Sequence, residues 1–429
     1  MSINSALYVG VSGLSAESDA LGIIGDNLAN TSTVGFKQSR ADFDDVLGSA
    51  SGGDQTIGSG VRLAKTQQIF SQGSMESTGV NTDMAISGDG FFVVGGSVSG
   101  TQGTFYTRDG ESTLNSNGQL VNPDGLQFQG YAANADGTFS TTLAPVTVNT
   151  AALPPKTTTA MTVTANLDST ATAPTAAFDP QNPSTTSNFS TSMQVYDSKG
   201  SAHSVNVYFS KNSNGSWDYN ALASGSDVTG GTAGQNVDIA SGTLTFTTGG
   251  ALQSNTLNSG GTVSFNGATA NQPVNMKFGT SIAAGGTGLD GITDFGSPST
   301  VSAQSQDGYS SGSLSGVSIN TDGTVEGVYT NGQTIGVAKL AVAKFTSNDG
   351  LARQGSNVWS ATSQSGVAAL GAAGEGGRGS LVTGEVEESN VDVSTQMVDL
   401  IAHQFSFQAD SKTITTADQM LQDVIQMKQ

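Results

Sequence analysis

The chain has 429 residues, a formal net charge of −20, only 12% charged residues, 57 glycines and no cysteine. The acid excess disfavours nucleic acid and anionic membranes as partners, and the absent cysteine excludes disulfides, thiolate catalysis and cysteine-bound metal. No apolar run reaches the ~20 residues of a membrane-spanning helix, so no membrane insertion is expected.

Residues 3–28 read as an amphipathic helix. Leu7, Leu14, Leu21 and Leu28 recur every seven residues, and Ile3, Val11 and Ile24 fill the steps between them. Ser5, Ser12, Asp19 and Asp26 line the opposite face. Gly10, Gly13, Gly22 and Gly25 each weaken this helix by roughly 1 kcal/mol relative to alanine, so it depends on neighbours for stability. A core helix and an assembly helix both fit these residues. The first basic residue is Lys37, which leaves no charged leader of the cleaved-signal type. Asn27, Asn30, Thr31 and Gly35 then stop the helix near Asn30 and turn the chain into Phe36 and Lys37.

Residues 38–70 read as a connecting segment, with a Gly/Ser-rich flexible stretch at 48–60. From 71 the pattern is β. Asp-Gly and Asn-Gly pairs punctuate short apolar runs through residue 150, as in tight hairpins. Pro154-Pro155 mark a boundary. Beyond it, Val195 and Tyr196 face Val205–Phe209 across Asp197-Ser198-Lys199-Gly200, and further strands are expected near 244–247, 263–265 and 274–278. Around 301–359, Asp322-Gly323 and Asn331-Gly332 predict a three-strand meander. Residues 361–390 read as a Gly-rich linker. Asp392 or Ser394 then caps a final helix over about 394–428, roughly 50 Å long. Its stripe is Leu400, Phe407, Ile414 and Leu421, joined by Val393, Met397 and Val424.

Several chemical motifs fail on context. Gly308-Tyr309-Ser310-Ser311-Gly312 has the spacing of a nucleophile elbow, but His203 and His403 lie in unrelated segments. Gly374, Gly376 and Gly379 form G-x-G-x-x-G with no clear strand before them. The glycine-rich run 285–292 resembles a single calcium-binding nonapeptide, and such sites need stacked copies. No catalytic residue, metal ligand or cofactor is assigned.

The turn Asn27, Asn30, Thr31, Gly35, Phe36 and Lys37 resembles the terminal turn of the bacterial flagellar rod and hook family. The β segments at 83–125 and 306–333 are similar to that family's first β domain. The Asp197-Ser198…His203…Tyr208-Phe209 pattern is similar to the hook members' outer domain, and Ser411-Lys412 and Met420-Leu421 to their final helix. At His403-Gln404-Phe405-Ser406-Phe407 the chain departs from the family, where a basic residue is expected, which puts charge pairing at that turn in question.

The resemblance implies a multidomain, mainly β fold. Residues 71–150 and 297–360 form an inner β domain, and 151–296 an outer β domain inserted into it. Residues 1–37 and 391–429 form long terminal helices that pair as a coiled-coil-like inner-wall domain, and 38–70 and 361–390 connect the parts. It also implies a structural subunit of an extracellular, curved hollow tube, exported without a cleaved signal peptide and acting as a universal joint. Its partners are then itself, the distal rod protein, a hook cap, a hook–filament junction protein and the flagellar type III export apparatus. The long insertion favours hook over rod. A distal rod subunit and a non-flagellar secreted adhesin are the alternatives. Both helical stripes are expected to serve assembly, so that Leu7, Leu14 and Leu21 matter little to folding of the β domains and greatly to polymerisation.

Overall fold

A computed structural model describes residues 3–47, 58–134 and 136–427. Helices α1 (Ile3–Ala29) and α2 (Val393–Gln426) stand at its ends, and strands fill most of the chain between them. Asp392 caps α2: its carboxylate accepts from the amides of Ser394 and Thr395, satisfying two donors that the first turn leaves open. The chain divides into two compact units.

The first unit comprises Met1–Thr150, Gly316–Val328 and Thr334–Gln429. After α1, strands β1 (Ser39–Leu47) and β2 (Gly58–Gln68) pair antiparallel from Ser39↔Gln68 to Leu47↔Gly58. A larger sheet is centred on the strand Phe91–Val98, which pairs with Thr101–Thr107 and Gln127–Ala133. The meander Leu314–Ile319, Thr324–Tyr329 and Thr334–Leu340 joins it through Ala338↔Ala132. Its core is aromatic. Phe91 lies 5.7 Å from Trp359 and 5.9 Å from Phe345, and Phe70 lies 5.5 Å from Phe91, all edge to face. Such pairs add about 0.5–1.5 kcal/mol each beyond burial. The Trp359 indole donates to Gln68, so its polar edge is not left unsatisfied.

The second unit comprises Ala151–Ser315 and Tyr329–Gln333. The strand Ala160–Asp168 alternates strictly, burying Met161, Val163, Ala165 and Leu167. Five further strands, from Phe189–Tyr196 to Leu252–Gly260, form an antiparallel meander. Val205, Val207, Phe209, Trp217 and Tyr219 face the same core. The Trp217 Nε1 donates to Asp294 at 3.1 Å.

Three boundaries differ from the sequence reading. The strand Thr300–Gln306 pairs antiparallel with Ala160–Asp168, and Asp307 accepts from the amides of Thr159 and Ala160. Residues 297–315 therefore belong to the second unit, although their Asp-Gly turn looks like those of the first. Residues 361–390 are not a free linker. They contain the strands Ala369–Gly371, Ser380–Thr383 and Glu385–Glu387, paired with Val342–Lys344, Met84–Ser87 and Met75–Ser77. Glycine content masked strands too short to show alternation. The connection expected over 38–70 is largely the β1–β2 hairpin; within the stretch 48–60, residues 58–60 belong to β2, and 48–57 lie outside the described residues.

Candidate assembly surface and the turn that anchors it

The two helices run antiparallel. A Cβ on Gly10 would fall 2.8 Å from Ile414 Cγ1, Gly13 abuts the Asp410 carboxylate, Glu17 meets His403 at 2.5 Å, and Asn27 donates to Gln396 at 2.9 Å. Numbers rise along α1 as they fall along α2. The contacts across the seam come mostly from glycine and polar residues: Gly10, Gly13, Glu17 and Asn27 on one helix meet Ile414, Asp410, His403 and Gln396 on the other. Small side chains let the two backbones approach closely.

This seam only partly matches the stripes read from sequence. Ile24 is buried, whereas Leu7, Leu14, Leu21 and Leu28 are half-buried and Val11 is 55% exposed. Ile3 lies in the first turn, where side chains are not described. On α2, Leu400, Ile414 and Leu421 are half-buried, while Val393, Met397, Phe407 and Val424 are exposed. The heptads mark apolar surface, but glycine and alanine, not leucine, take much of the contact. Sequence reading missed Tyr8, Val398, Ile401 and Phe405, all at least half exposed. The row Met397, Ile401, Phe405, spaced four apart, was the available signal.

The turn after α1 is anchored by buried polar groups. Asn27 is a three-way clamp: its Oδ1 accepts from the Ser39 amide at 2.8 Å, and its Nδ2 donates to the Ser39 carbonyl at 2.7 Å and to Gln396. One side chain therefore joins α1, β1 and α2. Asn30 donates to the Asp26 carbonyl at 2.8 Å and accepts from Thr33, and Thr31 donates to the Leu28 carbonyl at 3.2 Å. Gly35 has φ +67°, and a Cβ there would lie 2.6 Å from the backbone carbon of Arg108. Only glycine meets both conditions. The Gly35 amide donates to the Glu387 carbonyl at 2.6 Å. Phe36 is buried with the Arg353 guanidinium 5.3 Å from its ring, and Arg353 also pairs with Asp26 at 3.0 Å.

Lys37 lies wholly inside the protein. Its ammonium donates to the Ser71 carbonyl at 2.8 Å and to Glu387, which also accepts from Arg108 at 3.0 Å and from the Gly73 amide at 2.9 Å. Burial lowers the Lys37 pKa from its ordinary value; the Glu387 charge opposes that shift and the Arg108 charge adds to it. Glu387 thus ties the post-helix turn to the β sheet and to the segment leading into α2. Lys37, Arg108 and Glu387 lie in three separate segments of the sequence, with nothing there to pair them.

The rejected motifs remain loops. Gly374 donates to Gly379 across a turn that leads into the strand Ser380–Thr383, not a helix. His203 stands 3.3 Å from Asp197 and 3.5 Å from Asp227 and stacks on Phe265. Asp290, in the glycine-rich run, accepts from the Thr280 amide at 2.9 Å, as a turn residue does. Among the described residues, no cluster of three or more His, Cys, Asp or Glu is placed to hold a metal ion. No described helix is long and apolar enough to cross a membrane.

Terminal helices that pair with each other and still carry exposed apolar side chains are the mark of a subunit built for assembly. Four family profiles match consecutive parts of the chain. They are the flagella basal body rod protein (7–37), the flagellar hook protein FlgE/F/G D1 domain (85–166), the flagellar basal body protein FlaE D2 domain (166–309) and the flagellar basal body rod FlgEFG protein C-terminal (382–427). The chain is 37% identical to the flagellar hook protein FlgE of Salmonella typhimurium, over 97% of this chain and 98% of that one. Identity to the same-named protein of Treponema pallidum is 32%, over 99% of each. The crystal structure of Helicobacter pylori flagellar hook protein FlgE2 covers 71% of this chain and 98% of its own at a TM-score of 0.51 and 15% identity, a likeness of fold. The chain belongs to the flagellar hook protein family. It is a hook subunit, a motility structure of the flagellum and not an enzyme.

Proposed function

We propose that the chain polymerises through its terminal helices into a curved hollow tube, the universal joint between rod and filament, whose lumen passes distal subunits. The observation that carries this reading is the open row Met397, Ile401 and Phe405 on α2, exposed at 43%, 50% and 67%. A contiguous apolar row of this kind marks an interaction surface. Its occupant in this reading is another copy, because α1 already fills the opposite side of α2.

The glycine-weakened α1 fits the same account. Gly22 and Gly25 have no neighbour within 4 Å, so their helix cost is not offset within the chain. Helices that gain order from neighbouring copies restrain premature assembly. The β units, each with its own core, act as stiff bodies in this reading. The helical stripes and the turn from Asn27 to Lys37 are the assembly elements. In this reading the further partners are the distal rod protein, a hook cap, a hook–filament junction protein and the flagellar type III export apparatus. The subunit leaves the cell by that apparatus.

Electron microscopy of the polymerised full chain tests this. Curved tubes are expected. Straight tubes would contradict the universal-joint reading, and a monomer that forms no tubes at any concentration would overturn assembly altogether.

A further inference from the structure

The α1–α2 seam holds titratable groups where paired helices ordinarily place aliphatic ones. Glu17 Oε2 and His403 Nδ1 stand 2.5 Å apart, with side chains only 20% and 31% exposed. One turn from Glu17 along α1, Gly13 abuts the Asp410 carboxylate. Glu17 therefore stands between an imidazole and a second carboxylate. We propose that Glu17, His403 and Asp410 form a proton-sensitive layer that tightens the pairing of α1 with α2 when His403 is charged and loosens it when His403 is neutral.

Electrostatics couples the charge on His403 to the two carboxylates. A charged imidazolium offsets Glu17 and leaves Asp410 facing a neutralised pair. A neutral imidazole keeps only the hydrogen bond, and two carboxylates then share a partly desolvated seam, where repulsion is stronger than in water. Burial first, then the Glu17 charge, raises the Asp410 pKa. A raised carboxyl favours the folded state at low pH and loses that contribution as pH rises. The other charged groups that line the hollow beside His403 are Asp399 on α2 and Arg40 on the hairpin. Arg40 is already engaged by Asp42 at 3.2 Å and Gln67 at 2.7 Å. No other charged side chain lines that hollow among the described residues.

Hydrogen exchange on the full chain at about pH 5.5 and about pH 8, either side of the ordinary histidine range, tests the inference. After correction for intrinsic rates, peptides from α1 and α2 should gain several-fold more protection at the lower pH than the first unit's β peptides, a difference read over the pH response that Asp109 gives the whole unit. His403→Gln should abolish the difference, and His403→Lys should keep the protection at the higher pH. An unchanged pH response in His403→Gln, or no response in the parent chain, would overturn the proposal. Unprotected helices at both pH values would remove the seam and the proposal with it. These readouts concern pairing within one chain, so tube formation is tested separately.

Discussion

Arg108 donates to Glu387 at 3.0 Å inside the pocket that also buries Lys37, joining residues 279 positions apart. Glu387 is fully buried and faces two cations. Glu387→Ala should destabilise the helix-bearing unit by about 3–5 kcal/mol, because it leaves buried charge uncompensated. Replacing all three residues by apolar ones of similar volume should cost far less. Denaturant unfolding followed by Trp359 fluorescence, in a Trp217→Phe background, measures both.

Asn27 saturates three hydrogen bonds to two other elements. Asn27→Ala strands the Ser39 backbone and Gln396, at about 1–3 kcal/mol for each buried group left unsatisfied. Hydrogen exchange should show faster opening of α1 and of the start of β1, with the second unit unaffected.

The glycines separate by surroundings. Gly22→Ala and Gly25→Ala meet open space and should each strengthen α1 by about 1 kcal/mol. Gly35→Ala must hold a positive φ, at about 1–2 kcal/mol, and also displace backbone that lies 2.6 Å from its Cβ. Circular dichroism and denaturant midpoints should move in opposite directions for the two classes.

Burial pushes the Asp109 carboxyl up to about 7, and the nearby acids Glu111, Asp124 and Asp83 add to the shift. The folded state then holds a proton that the unfolded state releases near its ordinary value of 3.8. Stability from this group is full below that value and falls as pH rises toward 7. Asp109→Asn keeps an acceptor for the Glu111 amide and should stabilise the protein more at about pH 8 than at about pH 4. Equal effects at both pH values would contradict this.

Much of the fold was legible because its signals are local. The cap at Asp392, the hairpin through Asp197-Ser198-Lys199-Gly200 and the meander around Asp322-Gly323 follow from turn chemistry and alternation. The short strands of 361–390 were not legible, since three or four residues carry no period. The seam between the two helices of one chain was not legible for a related reason. Hydrophobic periodicity weights leucine, while close packing here selects Gly10, Gly13 and Ala20, and polar pairing selects Asn27 and Glu17. Within 403–407, the stretch where the family pattern carries a basic residue, His403 meets Glu17. The Lys37–Glu387–Arg108 cluster was invisible because its members lie hundreds of positions apart.

The central claim is that the apolar row on α2 serves other copies of the chain and not its own fold. The most direct measurement is Met397→Asp combined with Phe405→Asp, examined by electron microscopy and by denaturant unfolding of the monomer. The account predicts an unfolding midpoint within about 0.5 kcal/mol of the parent, as for exposed sites, together with loss of tubes. Normal tubes, or β units that unfold early while tubes persist, would contradict it.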